Sequence, residues 1–258
     1  MAHTHWYKQV SEPLFPDILW SRPENRVHAG KLGIIGGHAQ SFAAPAEAYA
    51  AAEQHGAGSL RVLLPNSLQK TVSKLFPAAE YAPSTPSGSF AQQAVGEMLE
   101  LSAWADGILL AGDFGHNSET AIVLERFLQK YSGQLTLAND AVDYFLSNPE
   151  VIIKRPDTLV AVSFSQLQKL AASSKFPKAF TSQMGLVNFV TQLQEFTVTN
   201  VCHLITIYEK SVVIAVDGKV STTPKTEPAS ETALATAGSI WWLQNPGKAF
   251  EALTTSVI

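Results

Sequence analysis

The amino-acid sequence predicts an α/β fold, a three-layer αβα sandwich around a mainly parallel central sheet with antiparallel edge strands. Short apolar runs alternate with helical patterns along the chain, which is typical of βαβ units. Hydrophobic residues make up 46% of the chain and charged residues 16%. This charged share is below the usual quarter and indicates a sheet covered by helices on both faces. Towards the C-terminus, Asp217-Gly218 lies between strand patterns, a hairpin signal that predicts antiparallel pairing.

A single domain of residues 1–258 is expected, because this length is ordinary for one α/β domain and no linker divides the chain. Residues 1–30 contain three prolines and are expected to form an irregular arm with one helical turn. Predicted strands cover 32–37, 59–65, 105–111, 133–138, 158–162, 201–208, 211–216 and 219–222. Predicted helices cover 43–55, 66–76, 90–104, 117–131, a short segment ending at 148, 165–172, 185–194, 230–244 and 247–255, and a loop covers 81–89.

Local signals set the ends of two helices. The segment 43–55 is rich in alanine and has no β-branched residue, which favours a helix. Gly56 or Gly58 is expected to end it. Asn117 or Ser118 is expected to cap the helix of 117–131.

Composition excludes several function classes. The net charge of −4 and the pI near 6.0 argue against a nucleic-acid partner. No apolar run reaches the ~18 residues that a membrane span needs, and the N-terminus lacks the apolar region of a signal peptide. The lone cysteine, Cys202, permits no intrachain disulfide, so a reducing cytoplasmic location is expected. The spacing of His3, His5 and His28 predicts no metal site.

Polar residues follow several predicted strands, where ligands of parallel sheets bind. They are Gly36, Gly37, His38, Asp113, His116, Asn117, Asn139 and Asp140. We expect them to line one crevice. Several of them have a second interpretation: the two glycines lead to an anion-attracting helix N-terminus or form a plain tight turn. His38 is a base or a surface histidine, and the aspartates and Asn117 are ligand-binding or simply cap helices and form turns.

The segment 233–241 (ALATAGSIW) has two interpretations that spacing alone does not separate. An Ala237-Gly238-Ser239 turn at the start of a helix would expose backbone N–H groups to a phosphate. The alanine, leucine and threonine before it suit an ordinary helix interior equally well.

Four stretches carry a family resemblance over residues 22–252: His28–Pro65 with its two glycine motifs, 106–120, 139–141 and 235–239. Together they resemble the ADP/ATP-dependent NAD(P)H-hydrate dehydratase family of the ribokinase-like superfamily. The resemblance implies ATP or ADP with Mg²⁺ as cofactor and a nucleotide or dinucleotide as ligand. It implies a kinase-like step that activates the hydroxyl of hydrated NAD(P)H, followed by elimination of phosphate. The ligand-binding residues it implies are Gly36, Gly37, His38, Ser41, His116, Asn139, Ala237, Gly238 and Ser239.

The departures from the family pattern predict weak or absent activity. The family aspartate that takes the hydroxyl proton falls on Trp241, and indole cannot accept a proton at neutral pH. The family's phosphate-binding lysine is also missing from 207–209, which reads IYE. Asp113 and Asp140 remain as weak candidates for a replacement base, since both follow strands.

Three hypotheses stay open: a divergent enzyme with another base, a pseudoenzyme that binds a nucleotide or dinucleotide, and a homo-oligomeric scaffold. In the scaffold, Trp241 and Trp242 would lie at an interface; otherwise they fill the interior. A different acidic side chain converging on the phosphate site, with room there for a triphosphate, would argue against inactivity.

Overall fold

The computed structural model describes residues 5–74, 76–225 and 230–258, and within these ranges ten strands form one sheet. The strands are β1 (Trp6–Lys8), β2 (Lys31–Gly36), β3 (Ser59–Pro65), β4 (Ala79–Ala82), β5 (Gly107–Gly112), β6 (Gln134–Leu137), β7 (Thr158–Val162), β8 (His203–Tyr208), β9 (Ser211–Val216) and β10 (Lys219–Pro224). Their order is β1-β10-β9-β8-β7-β6-β5-β2-β3-β4. All neighbours pair in parallel except β9, which is antiparallel to both β8 and β10.

Helices cover both faces of the sheet. They are α1 (Pro16–Trp20), α2 (Ala43–Gln54), α3 (Gln69–Val72), α4 (Val95–Trp104), α5 (Ser118–Lys130), α6 (Asp140–Asp143), α7 (Glu150–Ile153), α8 (Phe164–Ser173), α9 (Leu186–Thr199), α10 (Glu231–Gln244) and α11 (Ala249–Thr255). Two apolar cores result, with α4, α5, α8 and α9 on one face and α2, α10 and α11 on the other. The predicted three-layer sandwich with antiparallel strands near one edge is therefore confirmed.

The central strands are apolar on both faces because helices cover each side. Neighbouring residues of one strand enter opposite cores: Ile34 packs in the core beneath α2 and Ile35 in the core beneath α4. All six residues of β5 are buried. This explains why the strands appear in the sequence as continuous apolar runs. No helix in the described part of the chain is long and apolar enough to cross a bilayer.

Three local expectations are wrong. The arm of 1–30 contains β1, in which Trp6 pairs with Val220 and completes one edge of the sheet. The loop expected over 81–89 starts two residues too early, since Tyr81 and Ala82 belong to β4, the strand at the other edge. The helix expected over 66–76 is a 3₁₀ turn at Asn66–Leu68 followed by α3, which ends at Val72. His3, considered above as a metal ligand, lies outside the described residues.

Helix α10 runs from the carboxyl edge of the sheet to its amino edge. At its start, Thr232 accepts a hydrogen bond from Asn139, which follows β6. Further along, the carbonyl of Ser239 accepts a hydrogen bond from Gln134 at the beginning of β6. Leu243 packs against Gly107 at the beginning of β5. The first turn of α10 is therefore the part that lies at the carboxyl edge.

Candidate functional site

The carboxylate of Asp113 occupies the N-terminus of α2. Its Oδ2 accepts hydrogen bonds from Ser41 Oγ and from the N–H of Ala44, both at 2.8 Å. The carbonyl oxygen of Asp113 lies 2.9 Å from His38 Nδ1. Backbone N–H groups at a helix start lack intrahelical partners and attract anions. Here the chain supplies that anion itself.

Asp140, the first residue of α6, has one engaged and one unpartnered carboxylate oxygen. Oδ2 accepts hydrogen bonds from the N–H groups of Phe114 at 2.8 Å and Gly115 at 3.3 Å. Oδ1 is buried and has no hydrogen-bond partner among the described residues. Burial raises the pKa of Asp140 most, the charge of Asp113 raises it further, and the two N–H groups act in the opposite direction. Such a carboxyl group is suited to hold a proton or a cation.

Asn139 connects three elements around the same crevice. It adopts a positive φ of 52°. Its side-chain amide donates to the carbonyl of Ala111 and to Thr232 Oγ1, each at 2.7 Å. Its own carbonyl accepts from Gln166 Nε2 at 2.8 Å, and this amide also reaches Asp143 Oδ1 at 3.2 Å. The end of β5, the start of α8 and the start of α10 are thereby held together.

The first turn of α10 brings a further carboxylate to the crevice. Ser230 caps this helix, accepting from the N–H of Ala233 at 2.9 Å and donating to Glu47 Oε1 at 2.6 Å. Glu231 follows and is half-buried. Burial raises the pKa of Glu231 most, and the charge of Asp143 raises it further. Among the residues that the structure describes, no lysine or arginine lies within ion-pair distance of the carboxylates of Glu231 and Asp143. This end of the crevice is therefore acidic.

A cavity of about 270 Å³ lies beside these groups. It is lined by His116, Asn117, Ser118, Ala121, Asp143 and Tyr144. Asn117 caps α5 by accepting from the N–H of Glu119 at 2.8 Å, as the sequence predicted. Tyr144 Oη accepts from the N–H of Asn117 at 3.1 Å, and burial raises the pKa of Tyr144 to about 12. The walls of this cavity offer both hydrogen-bond donors and acceptors, which suits a hydroxyl-bearing ligand.

No protein-family model matches this chain, and no curated protein matches it in sequence. Solved structures do match. A ribokinase-like superfamily protein from Enterococcus faecalis aligns with 100% of this chain and 86% of its own, with a TM-score of 0.74 and 18% identity. This chain has the ribokinase-like fold. The ADP/ATP-dependent NAD(P)H-hydrate dehydratase of Bacillus subtilis, co-crystallised with ATP/Mg²⁺, gives a TM-score of 0.61 at 11% identity over 91% of this chain and 79% of its own. The pyridoxal kinase of Staphylococcus aureus gives a TM-score of 0.58 at 11% identity, over 88% of this chain and 85% of its own.

At these identities the likeness establishes the ribokinase-like fold, and site roles depend on the geometry. The residues predicted after the strands do converge at the carboxyl edge. Gly36 and Gly37 form a tight turn: a Cβ at Gly36 would lie 2.4 Å from the carbonyl oxygen of Gly112, and Gly37 has a φ of 89°. Asp113 already accepts from the N–H of Ala44, so one of the donors at the N-terminus of α2 is engaged within the chain. His38 and Ser41 contact Asp113 from the same turn.

The predicted anion-binding turn at Ala237, Gly238 and Ser239 is wrong, because these residues lie in the middle of α10. A Cβ at Gly238 would approach side chains of Ile205 and Leu253 at 2.9 Å, so the small residue permits close packing. Ser239 is fully buried near the amino edge. The second interpretation, an ordinary helix interior, is the correct one.

The assignment of the missing base to Trp241 is also corrected. Trp241 lies near the amino-edge end of α10, where its Nε1 donates to His55 Nδ1 at 3.3 Å. Arg22 stacks 4.4 Å from the centre of the Trp241 ring. Trp241 and Trp242 are 6% and 2% exposed, so both fill the interior rather than an interface. Trp241 therefore carries no information about the chemistry of the crevice.

Sequence reasoning missed four residues of the crevice, namely Asp143, Gln166, Glu231 and Thr232. A usable signal was present, because the predicted helix of 230–244 begins with Ser230, a good cap, followed by an acidic residue. That boundary places Glu231 and Thr232 at the strand ends. Gln166 has a similar signal, since it completes a capping box with Ser163 at the start of α8.

Proposed function

We propose that the carboxyl-edge crevice binds a Mg²⁺-bound nucleotide or dinucleotide and that the chain lacks the dehydratase and kinase activity of a catalytic member of this fold. The residue that carries the proposal is Thr232. The dehydratase resemblance implies an aspartate directly after an anion-binding turn at a helix start, where it takes the proton of the attacking hydroxyl. Because Trp241 lies at the far end of α10, we assign that position to Thr232 in the first turn of the helix. A threonine hydroxyl cannot take that proton at neutral pH. Its oxygen already accepts a hydrogen bond from Asn139.

The binding part of the proposal rests on two complementary charges. The first turn of α10 has the orientation in which helix N–H groups favour an anion. Around it lie Glu231, Asp143 and the unpartnered Oδ1 of Asp140, which favour a cation. The described residues contain no group of three side chains able to hold a metal alone. A nucleotide that brings Mg²⁺ with its phosphates satisfies both requirements, whereas the carboxylates repel a phosphate without the metal.

Ligand-induced stabilisation tests this binding. The melting temperature is measured with ATP, ADP, NAD and NADP, each with Mg²⁺ and with EDTA. A ligand at 100 times its Kd raises the free energy of unfolding by about 2.7 kcal/mol. We expect such a rise for at least one nucleotide, only with Mg²⁺. No stabilisation by any of the eight mixtures would contradict the proposed binding.

Substitution of Thr232 tests the catalytic part. The wild type is expected to show no ligand-dependent phosphate release and no repair of hydrated NADPH. Thr232→Asp restores a carboxylate at the start of α10, and general-base catalysis contributes about 10²–10⁴-fold. Thr232→Asn is the matched control, similar in size to aspartate but unable to act as the base. Equal rates for the two variants would contradict the role assigned to this position.

One observation favours a second candidate function, an active enzyme in which Glu231 is the base. Glu231 is half-buried beside Thr232, and burial together with Asp143 raises its pKa, which strengthens a carboxylate as a base. This candidate predicts turnover by the wild type that Glu231→Gln abolishes. Wild-type turnover that survives Glu231→Gln would exclude both this candidate and the inactive protein.

A further inference from the structure

A second cavity, of about 330 Å³, lies at the amino edge of the sheet, at the opposite end of α10 from the crevice. We call it the amino-edge cavity. It is lined by Asp157, His203, Val216, Asp217, Lys219, Trp242, Pro246, Gly247, Ala249, Phe250 and Glu251. Its walls are formed by the ends of strands that lie at this edge and by the turn between α10 and α11. Nothing in the proposed function uses it.

The polar group that marks this cavity is His203, the first residue of β8. Its side chain is among the buried polar groups, with 7% of the residue exposed. Nδ1 is buried and has no hydrogen-bond partner among the described residues. The ring packs edge-on against Trp242 with centroids 4.7 Å apart. Burial lowers the pKa of His203 more than Asp217 and Asp157 raise it, so the neutral ring offers one donor and one acceptor. Buried polar atoms normally have partners, and an exception requires an explanation.

The charges around His203 are unbalanced. Three carboxylates line the cavity, and the only lysine in its lining, Lys219, pairs with Glu251 at 3.9 Å. In the described part of the chain, Asp157 and Asp217 have no ion pair. Arg155 is close to Asp157, but its guanidinium donates to backbone carbonyls, including those of residues 131 and 133 at 2.9 and 2.7 Å. The cavity therefore favours a positive ligand.

The chemistry narrows the class of that ligand. No three metal-ligating side chains converge within the described residues, which disfavours a bare metal ion. Two aromatic rings, Trp242 and Phe250, form part of the wall, and organic cations gain from such rings. We propose that the amino-edge cavity binds a small ammonium or guanidinium ion, with Asp157 and Asp217 as counter-ions and His203 as its hydrogen-bond acceptor.

Binding is tested by titrating the ¹⁵N-labelled chain with 1,4-diaminobutane and agmatine, and with an N-acetylated, C-amidated lysine tripeptide. We expect saturable shifts of the His203 ring and of the backbone amides of Gly218 and Gly247. Binding of the free amines identifies a metabolite source, and binding of the peptide alone identifies a partner's side chain. Either result supports an organic-cation site. No shift with any of the three, or equal shifts with neutral 1,4-butanediol, overturns it.

Two substitutions, Asp217→Asn and Asp157→Asn, test where the cation binds without disturbing the fold. Asp217→Asn keeps a residue that tolerates its positive φ of 47° and forms the favoured Asn-Gly turn with Gly218. Asp157 has a φ of 51°, which asparagine also tolerates. Each variant is expected to bind the cation about tenfold more weakly, because a charge-assisted hydrogen bond is lost. Asp143→Asn, in the acidic crevice, is the control. If Asp143→Asn weakens binding and the other two do not, the cation binds in the crevice and the proposal fails.

Discussion

Replacing Asp113 should destabilise the chain through three separate contributions. Asp113→Ala removes the acceptor at the N-terminus of α2, a capping interaction worth about 1 kcal/mol. It also leaves the hydroxyl of Ser41 without its acceptor, at a cost of about 1 kcal/mol. Finally, alanine must adopt the left-handed φ of 61° that Asp113 adopts, which costs about 1 kcal/mol. The free energy of unfolding should therefore fall by about 3 kcal/mol.

Two further variants separate these contributions. Asp113→Asn keeps an acceptor oxygen and tolerates the left-handed backbone, so a loss of only about 1 kcal/mol is expected. Ser41→Ala removes one donor and should also lose about 1 kcal/mol. Urea unfolding with linear extrapolation measures each value. For a chain of this length 1 kcal/mol corresponds to about 2–4 °C in melting temperature. An alanine variant within about 0.5 kcal/mol of wild type, typical of an unconstrained surface position, would refute the assigned role of Asp113.

Two further predictions concern glycine packing and acid sensitivity. Gly36→Ala should lower the free energy of unfolding by about 2 kcal/mol or more, because its Cβ would overlap the backbone of Gly112; Gly96→Ala, a helical position with open space, should raise it by up to about 1 kcal/mol. Urea unfolding measures both variants, and an equal change in their free energies of unfolding would contradict the assigned packing of Gly36. Burial lowers the pKa of His55 and of His203 in the folded chain. When the pH falls below the ordinary histidine pKa of about 6.5, the unfolded chain therefore binds more protons than the folded chain. Stability should therefore fall as the pH drops from about 7 towards the lowered values, and His55→Gln should reduce that slope; an unchanged slope would exclude His55 as a source.

Much of the fold follows from local patterns in the sequence. The central strands are continuous apolar runs between helical segments, and the Asp217-Gly218 turn adopts the positive φ values that its residues favour. The two edge strands were missed for different reasons. Strand β4 contains Glu80 and is only partly buried. Strand β1 is held by pairing with β10 rather than by a local signal.

The candidate site was predictable only where chain direction determines it. Residues after parallel strands must meet at one edge, which identified Asp113, Asn139 and Asp140. The segment 233–241 could not be resolved, because alanine, glycine and serine serve both an anion-binding turn and a tightly packed helix. In the first case they expose the backbone, and in the second they admit neighbours such as Leu253. Only the position of α10 across the sheet separates the two.

The pairing of β1 with β10 has a consequence for the order in which the molecule is made. Trp6 is synthesised before its partner Val220, which lies more than two hundred residues further along the chain. At the usual rate of about 5–20 residues per second, the N-terminal strand waits on the order of 10–40 s for its partner. During translation the nascent chain can assemble the parallel centre of its sheet, but one edge stays open until β10 has been synthesised.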